Sequence, residues 1–138
     1  MDIQTQTCRD MTLEGYPVRR YRNPVKRYCQ CLEITDNPEM IRLYKECHSR
    51  ENHWKEIRDG IRRVGILEME MYISGNKVFM IVETERDFDW ESSMSRLAGL
   101  PRQAEWEAFV AALQGCDPAA SSAQKWTMMD RMFYLYDD

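Results

Sequence analysis

Histidine is scarce in this chain of 138 residues: His48 and His53 are the only two, and both fall within "YKECHSRENHW", residues 44–54. Imidazole acid/base chemistry near neutral pH is therefore confined to one short stretch. No apolar run approaches the roughly 18–20 residues of a membrane-spanning helix. The opening residues "MDIQTQTCRD" lack the apolar core of a signal peptide. These absences lead to the expectation of a cytoplasmic protein with no membrane partner. An excess of positive charge is missing too. The 19 Lys and Arg against 23 Asp and Glu leave a net charge of −4, which argues against a nucleic-acid partner.

The cysteines show no pattern. Cys8, Cys29, Cys31, Cys47 and Cys116 are five, an odd number at irregular spacing, so reduced thiols are expected. Cys29 and Cys31 would share one face of a strand and could chelate a soft metal. No second Cys or His pair stands at ligand spacing, so no metal and no cofactor are expected. What is present is ordinary for a globular chain: 43% hydrophobic, 11% aromatic and 30% charged residues of mixed sign. The length suits one domain. There is no internal repeat or low-complexity block.

Residues 1–24 show no periodicity and read as an arm ahead of a domain over residues 25–138. The cluster Arg19, Arg20, Arg22, Lys26 and Arg27 reads as a solvated or acid-paired face rather than a phosphate site. "RYCQCLEI" alternates and predicts a strand over Arg27–Ile34. "TDNPEM" follows as a helix start, with Asp36 or Asn37 as N-cap and Pro38 in the first turn. The helix runs through "EMIRLYKECH", and a second occupies "NHWKEIRDGIRRVG", stopping at Gly65. "ILEMEMYI" and "KVFMIVETE", joined by "SGN", predict a hairpin. "FDWESSMSRLAGL" and "QAEWEAFVAALQG" predict two more helices, the latter with Trp106, Phe109, Val110 and Leu113 on its buried stripe. "CDPAASSAQK" reads as a loop and "RMFYLYD" as a closing strand.

This order predicts an α+β fold, a ferredoxin-like antiparallel sheet with helices on one face. The hairpin is strongly apolar at Leu67, Met69, Met71, Ile73, Val78, Met80 and Val82. The face away from the helices therefore calls for cover, by a homodimer packing sheet on sheet or by curling round a ligand pocket.

Tyr44 and His48 are four apart and share one helix face at the edge of the buried stripe, with Ile41 in line. Spacing alone leaves His48 as either a structural or a catalytic residue. Cys47 points about 100° away from it, so a thiol–imidazole dyad is not expected. His53 reads as a solvent-side or capping residue, and Trp54 and Trp90 as core.

The first strand, then "NPEMIRLYKECH", a Trp six residues after that His, "EMYI-SGNKVFMIVETE", "FDW", "QAEW" and a terminal "FYLY" together resemble the L-rhamnose mutarotase family. The resemblance covers about residues 26–137, and its most specific element is N-P-x5-Y-x3-H directly after strand one. It implies a homodimeric, dimeric α/β-barrel type of protein that interconverts the α and β anomers of a 6-deoxy-hexose monosaccharide. It implies His48 as general acid/base and Tyr44 as a sugar contact. The family's strand Tyr corresponds to Met69 and its Trp-Trp pair to Glu105 and Trp106, so only Trp106 carries over. These departures open L-fucose beside L-rhamnose as substrate, with Glu105 and Met69 as further substrate-binding positions.

The rival expectations are a non-catalytic sugar-binding or regulatory dimer of the same fold, and a small dimeric α/β-barrel monooxygenase using its Met-rich strand, in a chain with ten methionines, as an apolar pocket.

Overall fold

The computed structural model describes residues 13–137. Four strands, β1 (Val25–Glu33), β2 (Ile66–Ser74), β3 (Lys77–Glu85) and β4 (Thr127–Met128), form one antiparallel sheet in the order β2-β3-β1-β4. Helices α1 (Pro38–Cys47), α2 (Lys55–Arg63), α3 (Trp90–Ala98), α4 (Gln103–Gln114) and α5 (Ser122–Lys125) complete the fold. This is the expected ferredoxin-like arrangement, with one added helical turn. That turn lies in the stretch expected to be a loop, where Ser121 and Gln124 cap each other reciprocally.

Local signals act as read. Asn37 Oδ1 accepts hydrogen bonds from the Glu39 and Met40 amides at 3.0 and 3.1 Å, and Pro38 opens α1. Gly75, at φ +60°, turns the hairpin between β2 and β3. Asn76 then ties the hairpin tip to the end of β1: its Nδ2 donates to the Ile34 carbonyl at 3.1 Å, and its own carbonyl accepts from the Ile34 amide at 2.9 Å.

β3 is the central strand of the core. Val78, Met80, Val82 and Thr84 alternate toward the helices and are all buried. Across the sheet they make rows with Ile73 and Leu32, Met71 and Gln30, and Met69 and Tyr28. From Met69 onward the apolar hairpin residues expected to leave an uncovered face therefore lie on the covered one, because strand alternation sends them to the helix side, while Leu67 falls at the irregularity between Ile66 and Glu68. The opposite face carries Glu68, Glu70, Tyr72, Phe79, Ile81 and Glu83 from the hairpin. Part of the expected arm lies along it. Tyr16 meets Tyr72 edge to face at 5.8 Å, Tyr21 donates to Glu83 Oε1 at 3.1 Å, and Arg19 reaches the Leu67 carbonyl at 3.4 Å. Residues 1–12 of that arm, with Cys8, lie outside the described residues. Of the basic cluster, Arg27 pairs with Glu83 at 2.9 Å and Lys26 donates to the Phe88 carbonyl at 2.6 Å.

The closing strand is displaced from its expected place. β4 is Thr127–Met128, opposite Cys31 and Gln30, and the Met129 amide extends the pairing to the Cys29 carbonyl at 2.8 Å. Residues 131–137 form no strand, and Met132, Phe133, Leu135 and Tyr136 are exposed. Apolar alternation signals a capacity to pair, but the free edge of β1 is already taken by the three residues before this run.

Helix α4 packs against α1, α2 and α3 and so sets the interior between helices and sheet. Its buried residues are Gln103, Trp106, Glu107, Val110, Ala111 and Gln114. The expected stripe is rotated: Phe109 is 47% exposed, while three polar residues turn inward. α4 ends at Gly115 with φ +75°, where a Cβ would stand 2.9 Å from Thr35 Oγ1. No helix is long and apolar enough to cross a membrane among the described residues.

Candidate active site

A cavity of about 420 Å³ opens between α1, α2, α4 and the β2–β3 hairpin. That volume falls within the roughly 300–1,000 Å³ of small-molecule sites. Tyr44 and His48 line it from α1, Met69, Met71 and Met80 from the sheet, and Gln103, Trp106, Glu107 and Gln114 from α4.

His48 is the C-cap of α1, where the helix releases the chain and frees its last carbonyls. Its Nδ1 lies 2.6 Å from the Tyr44 carbonyl oxygen. A carbonyl can only accept, so Nδ1 carries the proton and Nε2 keeps a free lone pair. Burial pushes the imidazole pKa below its ordinary value, outweighing the Tyr44 carbonyl, which favours the charged form. The ring is neutral at pH 7 and poised to accept a proton. Trp106 fixes its orientation edge to face at 5.2 Å, and the Tyr44 ring sits 4.6 Å away.

Tyr44 is 3% exposed, and its hydroxyl accepts from Gln114 Nε2 at 3.3 Å. Burial raises the phenol pKa well above the ordinary range, so it remains an O–H donor. Cys47 Sγ comes within 3.5 Å of His48 Nδ1, closer than the 100° separation on the helix suggested. No dyad follows: Nδ1 is committed to the carbonyl, and burial pushes the thiol pKa up to about 11.

The other sequence candidates divide. Trp106 and Met69 line the cavity with Tyr44 and His48. Glu105 is not among the lining residues. Its carboxylate faces solvent and pairs with Arg102 at 2.8 Å, which lowers its pKa. One residue along α4 turns the chain by about 100°, which places Trp106 inside and Glu105 outside. His53, expected at a solvent-side or capping position, binds the Arg50 carbonyl at 2.9 Å through Nδ1 and contributes to the cavity wall. Trp54, expected in the core, also lines the cavity. It meets Trp106 edge to face at 5.2 Å, under the Arg102 guanidinium, 4.1 Å from its ring. Trp90 packs on Tyr28 at 4.5 Å, away from the cavity lining.

Gln103, Glu107 and Gln114 were not singled out from the sequence. Their spacing carries a signal nonetheless: with Trp106 and Val110 they fall at i, i+3, i+4, i+7 and i+11, one face of a helix. Polar residues in such a face, once it is known to be buried, mark a lined cavity or a polar network.

The family model for L-rhamnose mutarotase matches residues 27–135. The chain is 30% identical over 111 residues to the L-fucose mutarotase of Xanthomonas campestris pv. campestris, covering 80% of this chain and 89% of that protein. It is 29% identical over 114 residues to a Dictyostelium discoideum protein whose name states no activity, covering 80% and 90%. The crystal structure of an L-rhamnose mutarotase from Formosa agariphila shares the fold, with a TM-score of 0.60 at 20% identity over 80% of this chain and 98% of that one.

Proposed function

This chain belongs to the L-rhamnose mutarotase family, and on that premise we propose how its cavity works. The protein interconverts the α and β anomers of a 6-deoxy-hexose, L-rhamnose or L-fucose, by opening and reclosing the sugar ring. His48 is the acid/base. The anomeric O1 and ring O5 are bonded to the same carbon, so one imidazole reaches both. Nε2 takes the proton from O1 as the C1–O5 bond breaks and C1 becomes an aldehyde, and the proton is delivered to O5. Rotation about C1–C2 turns the other face of the carbonyl to O5. Reclosure reverses the proton transfer and yields the opposite anomer. Tyr44 donates its O–H to the sugar, and Trp106 offers a ring face or edge to its C–H surface beside Met69.

The observation that carries this reading is the 2.6 Å contact of His48 Nδ1 with the Tyr44 carbonyl, which leaves Nε2 as the basic nitrogen in a ligand-sized cavity. Positioned acid/base catalysis contributes about 10²–10⁴-fold. Saturation transfer between anomeric protons is the direct assay. His48→Asn should retain sugar binding and lose exchange by that factor, whereas unchanged exchange in this variant removes His48 from the role. A wild-type protein that binds the sugar without accelerating exchange would support the non-catalytic binding dimer instead.

The same premise supports a cytoplasmic homodimer with residues 25–138 as the mutarotase domain and residues 1–24 as an arm. The exposed run Met132, Phe133, Leu135 and Tyr136 favours the dimer, since a second copy of the chain is the partner always present at equal concentration.

A further inference from the structure

Gln103 and Gln114 are each 5% exposed, and both line the cavity. The side-chain oxygen of each meets no protein donor. For Gln114 the amide could be turned round, because the Tyr44 hydroxyl it contacts can both donate and accept. Gln103 has no such freedom. Its Nε2 donates to Glu107 Oε1 at 2.9 Å, and the other oxygen of that carboxylate accepts from Lys125 at 2.8 Å, so the group serves as an acceptor on both sides. Glu107 is paired with Lys125, whose amine lies 2.8 Å from Oε2 with its side chain fully buried and also donates to the Glu107 backbone carbonyl at 2.7 Å. The charge order Lys125, Glu107, Gln103 therefore fixes which end of the Gln103 amide is which. Its oxygen is left as a buried acceptor without a protein donor, on a residue that lines the cavity. An acceptor buried in this way is costly to leave unpaired, and a hydroxyl donor on the cavity's occupant would satisfy it.

We propose that Gln103 is a specificity-determining residue that accepts a hydrogen bond from one ring hydroxyl of the sugar, with Glu107 and Lys125 as positioning residues that hold the amide from behind. The inference rests on the reading of this cavity as the sugar site. It differs in kind from the acid/base chemistry: Gln103 moves no proton and acts through binding alone. It also supplies the polar recognition that Glu105, turned to solvent, does not.

The test is a substrate-deletion cycle read by binding, with exchange measured separately. L-fucose, L-rhamnose and the 2-, 3- and 4-deoxy analogues of the better-bound sugar are titrated against wild type and Gln103→Met. Wild type should bind one deoxy analogue roughly tenfold or more weaker than the parent. In Gln103→Met that one gap should close while the gaps for the other analogues persist. Gaps that are the same in both proteins, or an unaltered affinity for the parent, overturn the assignment. Should Gln103→Met fail to fold, the wild-type side-chain amide resonance of Gln103 gives the answer. It should shift with the parent sugar and not with the discriminated analogue, and equal shifts with all sugars overturn the assignment. Exchange with no Gln103-dependent gap sinks this inference and leaves the mutarotase reading standing. A Gln103-dependent gap without exchange does the reverse, and failure to bind any 6-deoxy-hexose removes both.

Discussion

His48 Nδ1 and the Tyr44 carbonyl, one helical turn apart in α1, stand 2.6 Å from each other, and this contact decides which nitrogen of the ring can act as a base. It forms where the helix ends, because only there is a carbonyl released from its backbone partner.

The pH dependence of exchange follows from this. With His48 as the proposed base the active form is neutral imidazole, and burial lowers its pKa below the ordinary 6.5. A lowered pKa keeps the base unprotonated further into acid. The exchange rate of the free enzyme should be level through pH 7 and fall on the acid side with a midpoint below 6.5. A rate–pH profile measured with the sugar far below saturation checks this, and a midpoint above the ordinary value contradicts the desolvated, neutral ring.

The buried pair of Lys125 and Glu107 gives a stability prediction. Removing one charge strands the other in the interior, so Lys125→Met should destabilise the fold by about 3–5 kcal/mol. Adding Glu107→Gln should recover much of that loss, since no uncompensated charge then remains. Urea unfolding of the two variants measures both changes, and a double variant no more stable than the single one would count against the pairing.

Gly115 closes α4 at φ +75°, and a Cβ there would stand 2.9 Å from Thr35 Oγ1. Gly115→Ala combines left-handed backbone strain with that contact and should cost about 1–2 kcal/mol or more. The midpoint of denaturant unfolding reads it directly. Gly75→Ala is the control: its φ is +60° but nothing lies within 4 Å of the added carbon, so its loss should be smaller.

The C-terminal run bears on assembly. Met132 is 95% exposed and Tyr136 76%, an expensive arrangement for a lone chain in water. Ending the chain after Asp130 should shift the proposed dimer to monomer in analytical ultracentrifugation. A truncated protein with the same sedimentation behaviour as the full chain would place the interface elsewhere.

Much of this molecule was legible in its residues. Asn37-Pro38, the turn at Gly75 and the spacing of Tyr44 and His48 act through neighbours a few positions away, so local chemistry is enough to read them. The resemblance carried by N-P-x5-Y-x3-H, strand and hairpin pointed to the family for the same reason: order and spacing are properties of the chain itself. Two of the places that misled were decided by distant neighbours. "RMFYLYD" has the alternation of a strand, but Thr127, Met128 and Met129 reach the edge of β1 first. Helix α4 was expected to bury Phe109, yet its contacts with α1, α2 and α3 turn Gln103, Glu107 and Gln114 inward and leave Phe109 half in solvent. The sequence by itself determined most of the elements, the family and the pairing of Tyr44 with His48. Only the tertiary structure decided which face of α4 lines the cavity, because that rotation is set by three other helices packing at once, and with it which polar groups the cavity presents.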